Sequence, residues 1–137
     1  MGRLDRRRGG PLIVLDTHAW LWWVDAPRRL STRARRAIER GVRVGVPTTS
    51  VFEVVDLERR GRITLDAPVR TLVREALARP RVESLPLTTE VAVDAAQLAF
   101  DGHSADRVIY ATARAHDAHL VTRDGRLRAF DPERTVW

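Results

Sequence analysis

Four acidic residues stand where the predicted strands end or where the helices after them begin. Asp16 ends the first apolar run, and Asp124 follows the fourth predicted strand. Glu53 falls in the first turn of the helix after the second strand, and Asp106 falls in the first turn of the helix before the fourth. Because the carboxyl ends of parallel strands meet at one sheet edge, we expect these four carboxylates to converge there.

A cluster of four carboxylates is repulsive unless something offsets its charge. The positive ends of helix dipoles ease the crowding of the two acids in helix first turns, but only in part. A divalent cation resolves the conflict, since Mg²⁺ and Mn²⁺ prefer hard oxygen ligands and keep several waters for chemistry. The pattern therefore predicts a metal site with open coordination positions.

Each acid also has a purely structural interpretation. Asp16 is a good residue to cap the following helix, and Ser50-Val51-Phe52-Glu53 matches a capping box. Asp106 has arginines nearby in the sequence to pair with, and Asp124 before a glycine is typical of a turn. The joint placement of the acids, rather than any one of them, favours a site.

The elements that position these acids alternate between strands and helices. Five segments have the apolar, branched composition of strands: 11–15, 42–46, 82–85, 119–122 and, at an edge, 135–137. Helical spacing of apolar residues fills the intervals between them. This order predicts a three-layer α/β/α domain with a mainly parallel central sheet. We expect a single domain over residues 11–137, preceded by a basic, disordered lead-in over residues 1–10.

Composition narrows the class of protein. The chain has 137 residues, no cysteine and a formal charge of +6 that arginine alone carries, since lysine is absent. Disulfides and thiolate metal sites are excluded, and no apolar run is long enough to cross a bilayer. Acidic and histidine residues interrupt the apolar stretch after the basic start, which argues against a secretion signal and predicts a cytoplasmic protein. The arginines favour polyanionic partners.

Four segments of the chain, in order, resemble PIN-domain ribonucleases of the VapC toxin type: 14–22, 50–54, 104–113 and 120–124. The resemblance covers nearly all of the chain from Leu12 onward. It implies a PIN-like fold and a metal-dependent endoribonuclease that uses Mg²⁺ or Mn²⁺. It also implies a set of metal ligands and two supporting hydroxyls, namely Asp16, Glu53, Asp106 and Asp124 with Thr17 and Thr122.

One position departs from the family pattern. Similar toxins often carry an acid three residues before the third ligand, where this chain has His103. This histidine either tunes Asp106 or contacts a phosphate, or it is simply an exposed loop residue. Asp101 is a second candidate for the auxiliary acid. Since no pair of histidines is evident to activate a ribose hydroxyl, we expect attack by water, leaving 5′-phosphate and 3′-hydroxyl ends.

Three other functions are alternatives to a ribonuclease. A phospho-receiver domain needs a strand-end lysine, and a dinucleotide-binding domain needs a glycine-rich first turn; the chain has neither. A non-catalytic RNA-binding or scaffolding PIN relative stays open. Family resemblance further implies a small antitoxin and a homodimer. We expect surplus aromatic residues to form an apolar surface beside the site, and arginines to hold RNA: Trp20, Trp22, Trp23 and Phe52 for the surface, and Arg59, Arg60, Arg62, Arg107 and Arg123 for the RNA.

Overall fold

The computed structural model describes residues 11–137. Within them a single sheet has five strands in the order β3-β2-β1-β4-β5, and every neighbouring pair is parallel. The strands are β1 Leu12–Leu15, β2 Arg43–Pro47, β3 Val82–Leu85, β4 His119–Val121 and β5 Thr135–Val136. All five predicted strands are confirmed, and the sheet is wholly rather than mainly parallel.

The central strand shows why helices cover both faces of the sheet. Ile13 and Leu15 point into one apolar cluster, whereas Val14 between them points into another. This alternation follows from the two-residue period of a strand. Both clusters are buried, so β1 needs apolar side chains at every position, which is the continuous apolar run seen in the sequence.

Seven helices and one short 3₁₀ turn at Pro27–Arg29 accompany the sheet in the described residues. The first cluster takes side chains from α1, α2, α3 and α4, and the second takes them from α5, α6 and α7. The result is the predicted α/β/α sandwich. The helices are α1 Thr17–Asp25, α2 Thr32–Arg40, α3 Thr48–Arg59, α4 Val69–Leu77, α5 Thr89–Gln97, α6 Ser104–Ala115 and α7 Gly125–Phe130.

Helix starts follow the sequence signals in some places and not in others. Ser31 and Thr88 cap α2 and α5 through their hydroxyls, as Ser and Thr commonly do. Helix α4, by contrast, begins after Pro68 and has no side-chain cap. The expected lead-in over residues 1–10 lies outside the described residues.

Two local predictions near the site are wrong. Helix α3 begins at Thr48, directly after β2, so Glu53 lies in its second turn and not its first. Ser50 is therefore inside the helix, fully buried, and the capping box does not form. After β4, Asp124 begins the six-residue helix α7 where an ordinary turn was expected.

Over residues 11–137, none of the helices has the length and apolar character needed to traverse a bilayer.

Candidate active site

A cavity of about 500 Å³ opens at the carboxyl edge of the sheet. The four acids reach it from four elements: the end of β1, the second turn of α3, the first turn of α6 and the start of α7. The neighbouring order of β1, β2 and β4 explains the meeting, since these strands end side by side. The residues lining the cavity are Asp16, Thr17, His18, Trp22, Glu53, His103, Asp106, Arg123 and Asp124.

Asp16 is held in place by the start of helix α1. Its Oδ1 accepts a hydrogen bond from the Ala19 backbone N–H at 2.8 Å, and its own N–H donates to the carbonyl of Val121 in β4. The residue is 9% exposed, and burial raises the pKa of its carboxyl to about 6, with Asp106 and Asp124 adding repulsion. Hydrogen bonds from Thr122 and Ala19 act in the opposite direction. Asp16 is thus both a helix cap and a buried, destabilised carboxylate.

Glu53 is oriented by a contact between two helices. The buried hydroxyl of Thr17, the first residue of α1, donates a hydrogen bond to Glu53 Oε1. Because Thr17 follows Asp16 directly, the same helix start fixes two acids that lie 37 residues apart in sequence. Thr17 therefore supports the site as a positioning residue for Glu53.

Asp106 lies at the positive end of α6, yet its environment disfavours the charged form. Burial and the nearby carboxylates of Asp124 and Glu53 raise the pKa of Asp106 to about 6, whereas His103 and Arg126 counteract this. His103 lines the same cavity and is exposed. It directly precedes α6, but its side chain does not cap that helix. Asp101, the other candidate for an auxiliary acid, does not line the cavity.

Asp124 caps the short helix α7. Its Oδ1 accepts from the backbone N–H groups of Arg126 at 2.8 Å and Leu127 at 3.0 Å. The Asp124 N–H donates to the hydroxyl of Thr122 at 3.1 Å, and Thr122 is fully buried. Thr122 therefore links Asp16 to the turn that carries Asp124.

The carboxylates of the cavity are candidate ligands for a divalent cation. Within residues 11–137, no three histidine or acidic side chains form a preassembled metal cage. The chemistry nevertheless fits, because the cavity offers carboxylate oxygens, and Mg²⁺ typically needs one or two carboxylates while keeping several waters. Burial and neighbouring carboxylates raise the pKa values of Asp16 and Asp106, so a bound cation would favour the ionised form that burial disfavours.

The arginines predicted to hold RNA have different surroundings. The guanidinium of Arg107 donates to four backbone carbonyls, and Arg59 and Arg60 both pair with Asp56. Among the predicted arginines, Arg123 is the one that lines the acidic cavity. The full set of carbonyls bound by Arg107 is that of Ala95, Ala96, Leu98 and Phe100.

The structure also places in the cavity His18, which the sequence did not assign to any site, and Trp22, which was expected only on an apolar surface beside the site. Their rings contact each other with centroids 5.5 Å apart. Both follow Asp16 within two turns of α1, so their spacing from that acid was the available signal. What hid them was the apolar run around Trp22, which is typical of a core helix.

The predicted apolar surface is only partly correct. Trp20 and Trp22 are buried, at 1% and 6% exposure, because they belong to the core under α1. Phe52 instead is 71% exposed. It lines a second cavity of about 570 Å³ between α3 and α6, which shares Glu53 with the acidic one.

Comparison with known proteins agrees with this geometry. A profile of the PIN domain matches residues 13–132. The chain is 40% identical over 129 residues to Ribonuclease VapC22 of Mycobacterium tuberculosis (strain ATCC 25618 / H37Rv), an alignment that covers 91% of this chain and 98% of the relative.

Solved structures share the fold at lower identity. A toxin-antitoxin complex from Klebsiella pneumoniae matches with a TM-score of 0.66 at 19% identity, over 91% of this chain and 96% of that one. VapBC2 from Rickettsia felis, bound to a DNA fragment from their promoter, matches with a TM-score of 0.65 at 12% identity, over 90% and 96%. The chain therefore belongs to the PIN-domain family and, within it, to the VapC ribonucleases.

Proposed function

We propose that this protein is a metal-dependent endoribonuclease toxin that hydrolyses RNA phosphodiester bonds and is neutralised by a small antitoxin. The observation that carries the proposal is the single cavity shared by Asp16, Glu53, Asp106 and Asp124. Burial raises the pKa of Asp16 and that of Asp106 to about 6, and the charges of neighbouring site acids add to both shifts. The 40% identity to a mycobacterial ribonuclease supports the same activity.

The four acids are the proposed holders of Mg²⁺ or Mn²⁺. When bound, such an ion supplies a water of lowered pKa and offsets the charge that builds on the scissile phosphate. Without that offset the acids of the cavity repel the phosphate. Binding of the ion and of the RNA are therefore coupled.

The residues of the chain have separable roles in the proposed reaction. Asp16 keeps one oxygen on the α1 backbone, so its carboxylate cannot rotate freely. Thr17 holds Glu53, and Thr122 holds both Asp16 and the backbone of Asp124. Rigid carboxylates of this kind orient the attacking water at little cost in entropy. Water attack leaves 5′-phosphate and 3′-hydroxyl ends.

His103 is proposed as a tuning residue for Asp106. The imidazole of His103 lowers the pKa of Asp106 and so favours the ionised carboxylate. It occupies the place where similar toxins often have an acid. An exposed histidine there can also meet a substrate phosphate at the mouth of the cavity.

The exposed Phe52 cavity is the proposed contact surface for the antitoxin. A large aromatic residue at 71% exposure next to apolar Leu57, Leu87 and Val108 is typical of a surface that a partner covers. Since the cavity shares Glu53 with the acids, a partner bound there sits beside the catalytic residues. Substitution of Phe52 by Ser should weaken binding of the cognate antitoxin without altering the melting temperature.

A homodimer and action in the cytoplasm complete the proposal. A strict monomer in light scattering at tens of micromolar contradicts the dimer. Fractionation of cells that express the protein at its native level tests its location. Finding the protein outside the cytoplasm would overturn this part of the proposal.

The proposed activity is tested by incubating the pure protein with structured RNA in Mn²⁺ or in chelator. Cleavage in Mn²⁺ alone is expected, and its products should carry 5′-phosphates. The Asp106→Asn variant should lose cleavage, whereas Asp94→Asn, an exposed acid on α5, serves as the matched control. RNA binding without cleavage by the parent protein would instead favour a non-catalytic PIN relative.

A further inference from the structure

Two exposed arginines lie over one tryptophan at the rim of the acidic cavity. The guanidinium carbon of Arg29 is 4.7 Å from the centroid of the Trp22 ring, and that of Arg123 is 5.7 Å from it. Trp22 itself is 6% exposed and anchored in the core. A buried ring is a rigid support, so it orders two long side chains that otherwise move freely in solvent.

These guanidinium groups keep their hydrogen-bonding capacity. Across residues 11–137, neither Arg29 nor Arg123 forms a side-chain hydrogen bond or an ion pair, although each lies over a ring. Arg107, by contrast, has its donors committed to main-chain carbonyls, and Arg43 forms a two-bond pair with Glu83. Five planar donors facing solvent are suited to phosphate oxygens.

The arginine surface continues away from the acids. Trp22 contacts Trp137 with ring centroids 5.8 Å apart, and Trp137 lines a further cavity of about 200 Å³. Arg33 and Arg128, both exposed, line the same cavity. The positive groups therefore extend from the acidic cavity, past the two tryptophans, to the β5 edge of the sheet.

We propose that Arg123, Arg29, Arg33 and Arg128 form a phosphate track that holds the RNA strand on one side of the scissile bond. This inference rests on the proposed ribonuclease function. The acids at the reaction centre repel a polyanion, so the strand must be held by cations outside that centre. Arginine suits this role because it stacks on aromatic rings and binds phosphate with two donors at once.

The track predicts which charges control RNA affinity. In an Asp106→Asn background, which leaves RNA uncut, the pair Arg29→Ala with Arg123→Ala should lower affinity for a single-stranded RNA oligonucleotide at least about tenfold. The slope of log affinity against log salt should fall by about 1.4, which is about 0.7 for each lost phosphate contact. Fluorescence anisotropy at several salt concentrations measures both. Arg33→Ala with Arg128→Ala should reduce affinity and slope in the same direction.

The matched control removes the same charge elsewhere. Arg70 and Arg74 are exposed on α4, which contacts β3 at the opposite edge of the sheet. Replacing both by alanine should leave the salt slope unchanged. Arg123→Lys keeps the charge but loses the planar stacked group, so its affinity should lie between those of the parent and Arg123→Ala. Melting curves establish that every variant is folded.

The outcomes separate this inference from the ribonuclease proposal. If the parent protein cuts RNA in Mn²⁺ while the track and control pairs bind RNA equally well, the track is wrong and the ribonuclease proposal stands. If the parent binds RNA through the track arginines but cuts none, the track stands and the ribonuclease proposal fails. If the parent neither binds nor cuts RNA, both are overturned.

Discussion

Two sets of acids in this protein have opposite electrostatic surroundings. In helix α3, Asp56 accepts from Arg59 and Arg60 at 2.8 Å each, and the hydrogen bond from Arg59 leads the effects that lower its pKa. One turn earlier, Glu53 meets a threonine hydroxyl instead, and the pKa values of Asp16 and Asp106 around it are raised to about 6. The chain is rich in arginine, yet among residues 11–137 no arginine forms an ion pair with the acids of the cavity, which marks them as acids that bind something else.

The largest expected effect is on the site acids. Asp16→Asn keeps the oxygen that caps α1 but removes one charge, so the metal-free variant should be at least as stable as the parent. It should lose cleavage by more than about a hundredfold and gain little melting temperature from millimolar Mn²⁺. Calorimetric melts of both proteins, with chelator and with Mn²⁺, measure this. An equal metal response in parent and variant would show that Asp16 is only a cap.

A smaller effect concerns pH. The pKa of Asp16 is higher in the folded chain than its ordinary value of 3.8, so the folded state binds more protons between about pH 4 and 6. Its contribution to the free energy of unfolding is present below pH 4 and lost as pH rises through about 6, a change of about 3 kcal/mol. Denaturant unfolding in chelator at pH 4 to 7 should show the metal-free parent losing stability relative to Asp16→Asn. A constant difference between them across this range contradicts the prediction.

The smallest effect is expected at Asp56, the acid that pairs with two arginines. The pKa of Asp56 is lowered, so the pH dependence of its contribution to the free energy of unfolding has the opposite sign. That contribution is present at neutral pH and is lost as pH falls through the pKa of Asp56 in the folded chain. Because the pair is at the surface, Asp56→Asn should change the melting temperature at pH 7 by less than Mn²⁺ changes that of the parent. Its response to Mn²⁺ should be unchanged. A lost metal response in Asp56→Asn would remove the distinction between the two sets of acids.

Sequence patterns predicted the strands well, because a parallel sheet covered on both sides needs unbroken apolar segments. They also placed the four acids at one sheet edge. The first residues of the helices were predicted less accurately. Pro47 ends β2 and α3 begins at once, which moves Glu53 into the second turn; α7 is only six residues long, so Asp124 before glycine looked like a turn.

The arginines show the limit of sequence reasoning most clearly. Nothing local distinguishes Arg107, whose donors bind the carbonyls at the end of α5, from Arg123, which faces solvent over a ring. The difference comes from which segments pack together. The same holds for Trp22, because two of its neighbours, Arg123 and Trp137, come from about a hundred residues further along the chain.

The strand order has a consequence for how the protein is made. β1 forms early in the chain, but its neighbour β4 begins at His119, more than a hundred residues later. A ribosome adding about 5 to 20 residues per second needs several seconds to cover that distance. During this interval the nascent chain holds Asp16 and Glu53 but not Asp124, so the complete acid set does not yet exist. If the proposed toxic activity is correct, the nascent polypeptide cannot harm the cell's RNA until the ribosome has passed Asp124.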